Sequence, residues 1–527
     1  MNNNLLIIFP SQLFEKKYID KIFNYDNNNN FIIVIWEHEY FFTRYPYHKM
    51  KLVLHRSTMQ KYYDDLSSKY KKYYIENISK NHNNQIIEII KKHKINKISL
   101  FNPIEKDLIN LINSKKLIKY ENDIEYLLFP TPYFLITSNI NTINDIDTKL
   151  TTTRHDLFYK IQRINYNIMV KKNNSKYIPV GNKWSFDTEN REPFIKNQKD
   201  PSLLIFKTNK KYIKNAINYV NKNFKDHYGL CNEEDFIYPI DHDSSKKWLK
   251  HFIKTKLDNF GKYEDAISMN INFGYHSLLS PLNNIGLITS NDIINEVEKY
   301  DKNLASKEGF IRQVIGWREY CYYIYDKYDE NLIKNKFYDK NNGKIPLKFW
   351  EGKTGIPIID NIINKVNKYA YSHHIERLMC IGNFLLLIGI DEDEIYNWFQ
   401  TMYIDSYDVF MVPNVYGMLC YGNITEKNHM MTKPYLCSSN YLKKMGKNNI
   451  QDDNTNEDYN DIFKKYKWDE IIDALYYTHI NKYKDKFKNI YATALSVKRL
   501  SSLENEQKNN YFNISKDYIK YLYSNKN

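Results

Sequence analysis

Residues 4–24 read NLLIIFPSQLFEKKYIDKIFN. An apolar run, Leu5 to Phe9, stops at Pro10 and Ser11, and beyond it Leu13, Tyr18, Ile19 and Ile22 fall at helical spacing. The same strand-then-helix scheme returns around FIIVIWE (31–37), NKISLFNP (96–103) and IEYLLFPTPYF (124–134). Alternation of this kind predicts an α/β, doubly wound parallel-sheet domain over residues 1–140. Ligands in such sheets bind beyond the carboxyl ends of the strands, here near FPSQ and WEHEYFF. No G-x-G-x-x-G follows a strand, so an ordinary dinucleotide site is not indicated.

Residues 141–245 loosen into turn-rich wording and read as an interdomain linker. From KKWLKHFIKTKLDNFGKYEDA (246–266) onward helical periodicity dominates, which predicts a large all-α domain over 246–527. Within it, KNNIQDDNTNEDYND (447–461) is polar enough to form a surface loop.

At 527 residues the chain exceeds one ordinary core. Its formal charge of +14 suits a polyanionic partner, although the Asn-, Lys-, Ile- and Tyr-rich wording would follow from an AT-rich coding bias too. Five scattered cysteines with no C-x-x-C pair argue against a disulfide framework or zinc module. The N-terminus lacks a basic, then apolar, signal pattern, and the longest apolar run, 378–390, is too short to span a bilayer. A soluble, intracellular monomer is expected, with no membrane partner and no metal site.

The segment YSHHIERLMCIGNF (371–384) places His373 and His374 at the entrance to an apolar helix. Helical neighbours point about 100° apart, so the two rings are not expected to meet; the plainest assignment is one buried and one exposed histidine. Three further stretches carry polar and aromatic groups: FGYHSLLSPLNNIGL (273–287), EGFIRQVIGWREY (308–320) and DEIYNWFQTMYIDSYDVFMVPNVYGM (393–418). HSLLS at a helix start offers hydroxyls and backbone donors to a phosphate.

These stretches, with YHKMKLVLHRSTM (47–59), GNKWSFDTENR (181–191), FGKYEDA (260–266) and TKPYLCSSNYLKKM (432–445), resemble the photolyase–cryptochrome superfamily. The branch is that of bacterial-type (6-4) photolyases, and the likeness runs from about residue 5 to 445. It implies a light-driven DNA-repair lyase that binds FAD in the helical domain and acts on UV-damaged DNA, with (6-4) photoproducts favoured over cyclobutane dimers. A cryptochrome-like receptor without repair and a flavin-free nucleic-acid-binding protein are the alternatives. The resemblance assigns His276, Ser277, Leu279, Ser280, Gln313, Arg377, Asn383, Asp405 and Met411 to the flavin. It assigns Arg312, Trp317 and Arg318 to DNA, His374 (supported by His373) to the lesion, and Trp398 and Trp350 to an electron relay. A lumazine-type antenna would lie near Glu37 and Tyr40.

Two departures stand out. Relatives hold an iron–sulfur cluster with four cysteines; here the first position is Ile358, and none of the others has a cysteine, so no cluster is expected and Ile358, Trp468 and nearby aromatics are expected to fill its place. Met411 stands where relatives place an amide or acid against flavin N5, and a thioether is a poor hydrogen-bond partner. Phe399 replaces a common relay tyrosine, and Ser11 the usual Asp of the antenna segment.

Overall fold

The structure is a computed structural model; it describes residues 3–524 except 26–30, 78–81, 119, 121–123, 139–145, 148, 151–152, 175, 427 and 451–460. Most of the polar loop expected at 447–461 therefore lies outside the described residues.

Five strands form one parallel sheet in the order β3-β2-β1-β4-β5: β1 (Asn3–Ile8), β2 (Phe31–Trp36), β3 (Lys71–Ile75), β4 (Ile95–Phe101) and β5 (Glu125–Phe129). Both faces of β1 and β2 are buried, which is why they read as unbroken apolar runs rather than as alternating ones. β3 (KKYYI) escapes the apolar-run reading because it is an edge strand, with only Ile75 buried. Strand order reverses between β1 and β4, where an open sheet usually leaves a ligand crevice. Here the crevice is closed. The Gln12 side-chain amide donates to the Phe101 carbonyl at 2.8 Å, and the Leu13 N–H donates to Ile285 of the helical part at 2.9 Å.

Segment 141–245 carries more than turns. It holds a helix (His155–Asn165), a small hairpin (Val170–Asn173 with Lys176–Pro179) and a helix (Lys210–Asn223) packed on the helix Lys49–Asp65. Beyond it the regular structure of the described residues is helical, to Leu522. None of the helices among the described residues is long and apolar enough to cross a membrane.

The sheet and the helices are joined by buried polar bonds concentrated at three consecutive residues, Ser406, Tyr407 and Asp408. Lys51 Nζ donates to Ser406 Oγ at 3.0 Å, and His55 Nε2 meets the Tyr407 hydroxyl at 2.9 Å. Asp408 accepts from Arg44 at 2.7 Å, from the Tyr40 hydroxyl at 2.8 Å and from the Tyr396 hydroxyl at 2.6 Å. Burial pushes neighbouring Glu105 well above the ordinary carboxylate range, and Asp408 beside it pushes the same way. The charge of Arg44 is thus answered chiefly by Asp408, with the exposed Asp107 at 2.8 Å as its second partner.

Where a cluster would be expected, Ile358 is fully buried and Trp468 nearly so, and the Phe463 ring lies against Gly355. All five cysteines are buried thiols.

Removing one partner of a largely buried pair strands the other charge. Asp408→Ala should cost about 3 kcal/mol and Tyr40→Phe, which removes a hydrogen bond to the Asp408 carboxylate but strands no charge, about 2 kcal/mol. Thermal denaturation of the two variants beside the parent checks the ranking; equal midpoints would show that the seam contributes nothing.

Candidate active site

A cavity of about 640 Å³ opens among the helices. Three π-helical segments contribute to its wall: Arg312–Arg318, Glu376–Gly382 and Val412–Leu419. A π turn inserts an extra residue into a helix, at the cost of weaker hydrogen bonding, and such turns collect at functional sites. They re-aim Arg312, Gln313, Trp317 and Arg318 from the first segment, Arg377 from the second and Asn414 from the third, all of which line the cavity.

Arg377 grips Asp405 with two bonds, 2.9 and 3.0 Å, and its Nε donates to the Ser372 carbonyl at 2.7 Å. The guanidinium lies 4.1 Å over the Tyr403 ring. Asp405 also accepts from the Ser280 hydroxyl at 2.6 Å, while its backbone carbonyl accepts from Asn284 at 2.8 Å. The pair therefore ties the HSLLS segment to the wall. Leu278 in that segment adopts φ +53, unusual for a branched side chain, and the Leu279 N–H is held by the Ser277 hydroxyl at 3.3 Å.

His276, Ser277, Ser280, Gln313, Arg377, Asp405 and Met411 line the cavity as a group. Leu279 is buried behind the turn. Asn383 stands apart: its amide donates to the Cys437 carbonyl at 3.1 Å and accepts from the Cys437 N–H at 3.0 Å, so both ends are spent on the backbone.

The three residues expected to meet DNA have different surroundings. Arg312 is buried among Asp187, Glu308 and Glu264, 3.2 to 3.5 Å away, so its charge is answered internally. Trp317 stacks face to face on His155 at 3.7 Å; Gly316 leaves room for that ring, since a Cβ there would come within 3.1 Å of it. Arg318 is wedged between Tyr133, Phe134 and Phe410 and donates to the Asn284 side chain. Its Nε and Nη2 have no protein partner, and burial pulls the guanidinium below its ordinary range.

His373 is buried and His374 exposed, as expected, but the two rings are not kept apart. Residues 371–373 precede the helix, so the 100° rule does not separate the rings. His276 stacks on His373 at 4.5 Å and 9°, His374 meets both edge-on, and ring nitrogens of all three lie within 4.8 Å. Parallel rings aim their lone pairs in separate planes, so His276 and His373 cannot share an ion as they stand. Burial, reinforced by nearby cations, drives His276 and His373 well below the ordinary imidazole range. His374 is half-exposed with Nε2 3.5 Å from Asp265. Burial opposes its charge, but Asp265 and Glu264 outweigh it and raise its pKa. Burial holds Glu264 itself at about 7. The exposed ring is thus the one of the three whose protonated form is favoured, and the two buried rings favour the neutral form.

His155, Asp187, Glu264 and Asp265 were not singled out from sequence, although the last three lie in GNKWSFDTENR and FGKYEDA. Trp398 is buried 6.4 Å from the half-buried Trp350, both behind the wall that Phe399 lines. In the sheet domain Glu37 is fully buried and accepts from Arg56, the Tyr74 hydroxyl and the Asn77 N–H, and Tyr40 serves the Asp408 seam.

Arg377→Ala should cost about 3 kcal/mol by stranding Asp405, whereas Arg377→Met with Asp405→Leu should cost less than the single change. A double-mutant cycle on unfolding free energy tests this; additive losses would mean that the two side chains are not coupled.

Residues 6–236 match the family described as deoxyribodipyrimidine photo-lyase-related protein. The chain is 36% identical over 271 residues to a (6-4) photolyase of Agrobacterium fabrum, a match that spans 51% of this chain and 52% of that protein. Two solved structures share the fold. One is a class III photolyase from Agrobacterium tumefaciens (TM-score 0.53, 12% identity, 99% and 98% of the two chains). The other is a Synechocystis cryptochrome (TM-score 0.53, 13% identity, 92% and 94%). The fold is therefore the one these photolyase and cryptochrome structures share, and residues 6–236, less than half of the chain, match the deoxyribodipyrimidine photo-lyase-related family.

Proposed function

We propose that the chain is a light-driven DNA lyase that holds FAD in the helical cavity and reverses pyrimidine dimers, (6-4) photoproducts first and cyclobutane dimers second. The observation that carries this reading is Arg318, a half-buried cation whose Nε and Nη2 are buried without a hydrogen-bond partner beside the Ser280–Asn284 turn. A charge of this kind calls for an anion, and a dinucleotide pyrophosphate supplies one. Ser277 and Ser280 would orient the phosphates, while the Arg377–Asp405 pair would bond the polar edge of the ring. Bound there, the flavin would supply the photoexcited electron.

The rest of the reading concerns the lesion. Trp317, braced by His155, presents a flat face to an extruded base, and extrusion spares the enzyme from working inside a stacked duplex. His374 would carry the proton. Asp265 holds its Nε2, which leaves Nδ1 to protonate the oxygen that leaves a (6-4) lesion. Neutral His373 packs between His276 and Glu376, whose carboxylate accepts the His373 backbone N–H at 3.3 Å, and so keeps the neighbouring backbone in place. An antenna at Glu37 and Tyr40 is disfavoured by the internal bonds these side chains already make.

An oligonucleotide assay under blue light with both lesions in parallel tests the proposal. His374→Ala should lower (6-4) repair by about 100-fold or more while FAD is retained; unchanged repair would remove His374 from the role. Flavin photochemistry with neither lesion repaired would favour a photoreceptor.

The pH profile tests Asp265. Because Asp265 raises the His374 pKa, the proton-donating form persists to higher pH than an ordinary imidazole would allow. Asp265→Asn should therefore move the alkaline limb of (6-4) repair to lower pH. An unmoved limb would show that Asp265 has no such part.

A further inference from the structure

We propose that Tyr228 is the terminal electron donor of an aromatic line, Trp398–Trp350–Tyr228, leading from the cavity wall to solvent. The inference rests on the flavoprotein reading above and adds a residue to it.

The geometry singles out this ring. Tyr228 stacks on Trp350 at 4.4 Å with planes 16° apart, and Trp350 lies 6.4 Å from Trp398. Exposure rises outward, from 1% at Trp398 through half-buried Trp350 to 39% at Tyr228. Electron tunnelling falls steeply with ring separation, so stacked contact favours transfer from Tyr228 over any longer hop. The other ring neighbours of Trp398 are poor exits: Phe399 has no phenol, and Tyr403, edge-on to Trp398 at 5.7 Å, is fully buried with its hydroxyl against Ser372 at 2.9 Å, where it has no solvent to take its proton.

The stack is held by a node of polar bonds. Asn367 donates through its side chain to the Trp350 carbonyl at 3.3 Å, and its own carbonyl accepts from the Leu230 N–H at 2.8 Å. The His48 Nδ1 accepts from the Met50 N–H, so its Nε2 bears the hydrogen and donates to the Asn367 carbonyl at 3.0 Å. The His48 N–H donates to Thr401, on the helix that carries Trp398, and the Tyr228 carbonyl accepts from Lys49. Gly229 has φ +82, and a Cβ there would fall 1.9 Å from the His48 ring, so the turn that presents Tyr228 requires glycine.

The chemistry balances with a photoexcited oxidised flavin as the oxidant. With that oxidant bound, Trp398 would give up one electron, Trp350 would refill Trp398 and Tyr228 would refill Trp350. Both tryptophans return to their closed-shell state. Tyr228 releases its phenolic proton to water and ends as a neutral phenoxyl radical; a buried phenol could not shed that proton so directly.

Flash photolysis and EPR of the FAD-loaded protein test the inference without reference to repair. The parent should show a tyrosyl radical. Tyr228→Phe, which keeps the stacked ring, should lose it and leave the oxidised site on a tryptophan. Trp350→Phe should also abolish the tyrosyl signal, and Tyr491→Phe, at an exposed ring outside the line (91%), should retain it. A parent with only a tryptophan radical, or with no radical pair, overturns the inference and leaves the flavin site standing, as does a tyrosyl signal that survives Tyr228→Phe. A protein that takes up no FAD overturns the flavoprotein reading itself, and this inference with it.

Discussion

The Arg377–Asp405 ion pair is the joint on which the cavity depends. Asp405 opens a run of four residues that faces two ways. Its carboxylate grips Arg377 and Ser280 on the cavity side, while Ser406, Tyr407 and Asp408 bond the sheet domain through Lys51, His55, Arg44 and Tyr40. A shift of this run in either direction would break buried polar bonds on both sides, each costly to leave unmade. The sheet domain therefore helps to fix the cavity even where its own switch-point crevice is closed by Gln12 and Leu13.

Neutralisation separates two arginines that sequence alone treats alike. Arg312 and Arg318 sit six residues apart on one π segment, and both face inward. Arg312 meets three carboxylates; Arg318 meets aromatic faces and one amide. The first is a structural cross-link between GNKWSFDTENR, FGKYEDA and its own helix. The second keeps unspent donors where an anion would lie.

The strands that run apolar on both faces are legible in the sequence, as are the helical half and about a third of the residues that line the cavity. What stayed hidden has physical reasons. β3 is a half-exposed edge whose lysines mask its pairing. The π turns leave no mark in an apolar pattern, since one inserted residue shifts periodicity by less than a short window can register. Apolar periodicity places His373 and His374 on one helix, but the helix begins at the second of them, so both rings converge on His276. The turn-rich stretch 141–245 looked like a connector, yet it supplies His155, Asp187 and Tyr228; contacts so distant in sequence carry no local signature. Asn383 sits in a motif that resembles the family's, but both ends of its amide are taken by Cys437.

The aromatic surplus shows how little composition alone can assign. With 48 tyrosines in the chain, no count or spacing would choose Tyr228 over the rest. Two conditions must coincide for a terminal donor: stacked contact with an oxidisable ring, and enough exposure to shed a proton. Tyr403 satisfies neither, since it stacks on a phenylalanine and is buried. Tyr491 is exposed but lies outside the line from Trp398. Tyr228 satisfies both, and Gly229 and His48 hold it there through backbone geometry rather than through its own hydroxyl. An AT-rich code can scatter tyrosines over a surface; a positive-φ glycine pressed against a buried histidine, beside a stacked tryptophan, is a constraint on one place.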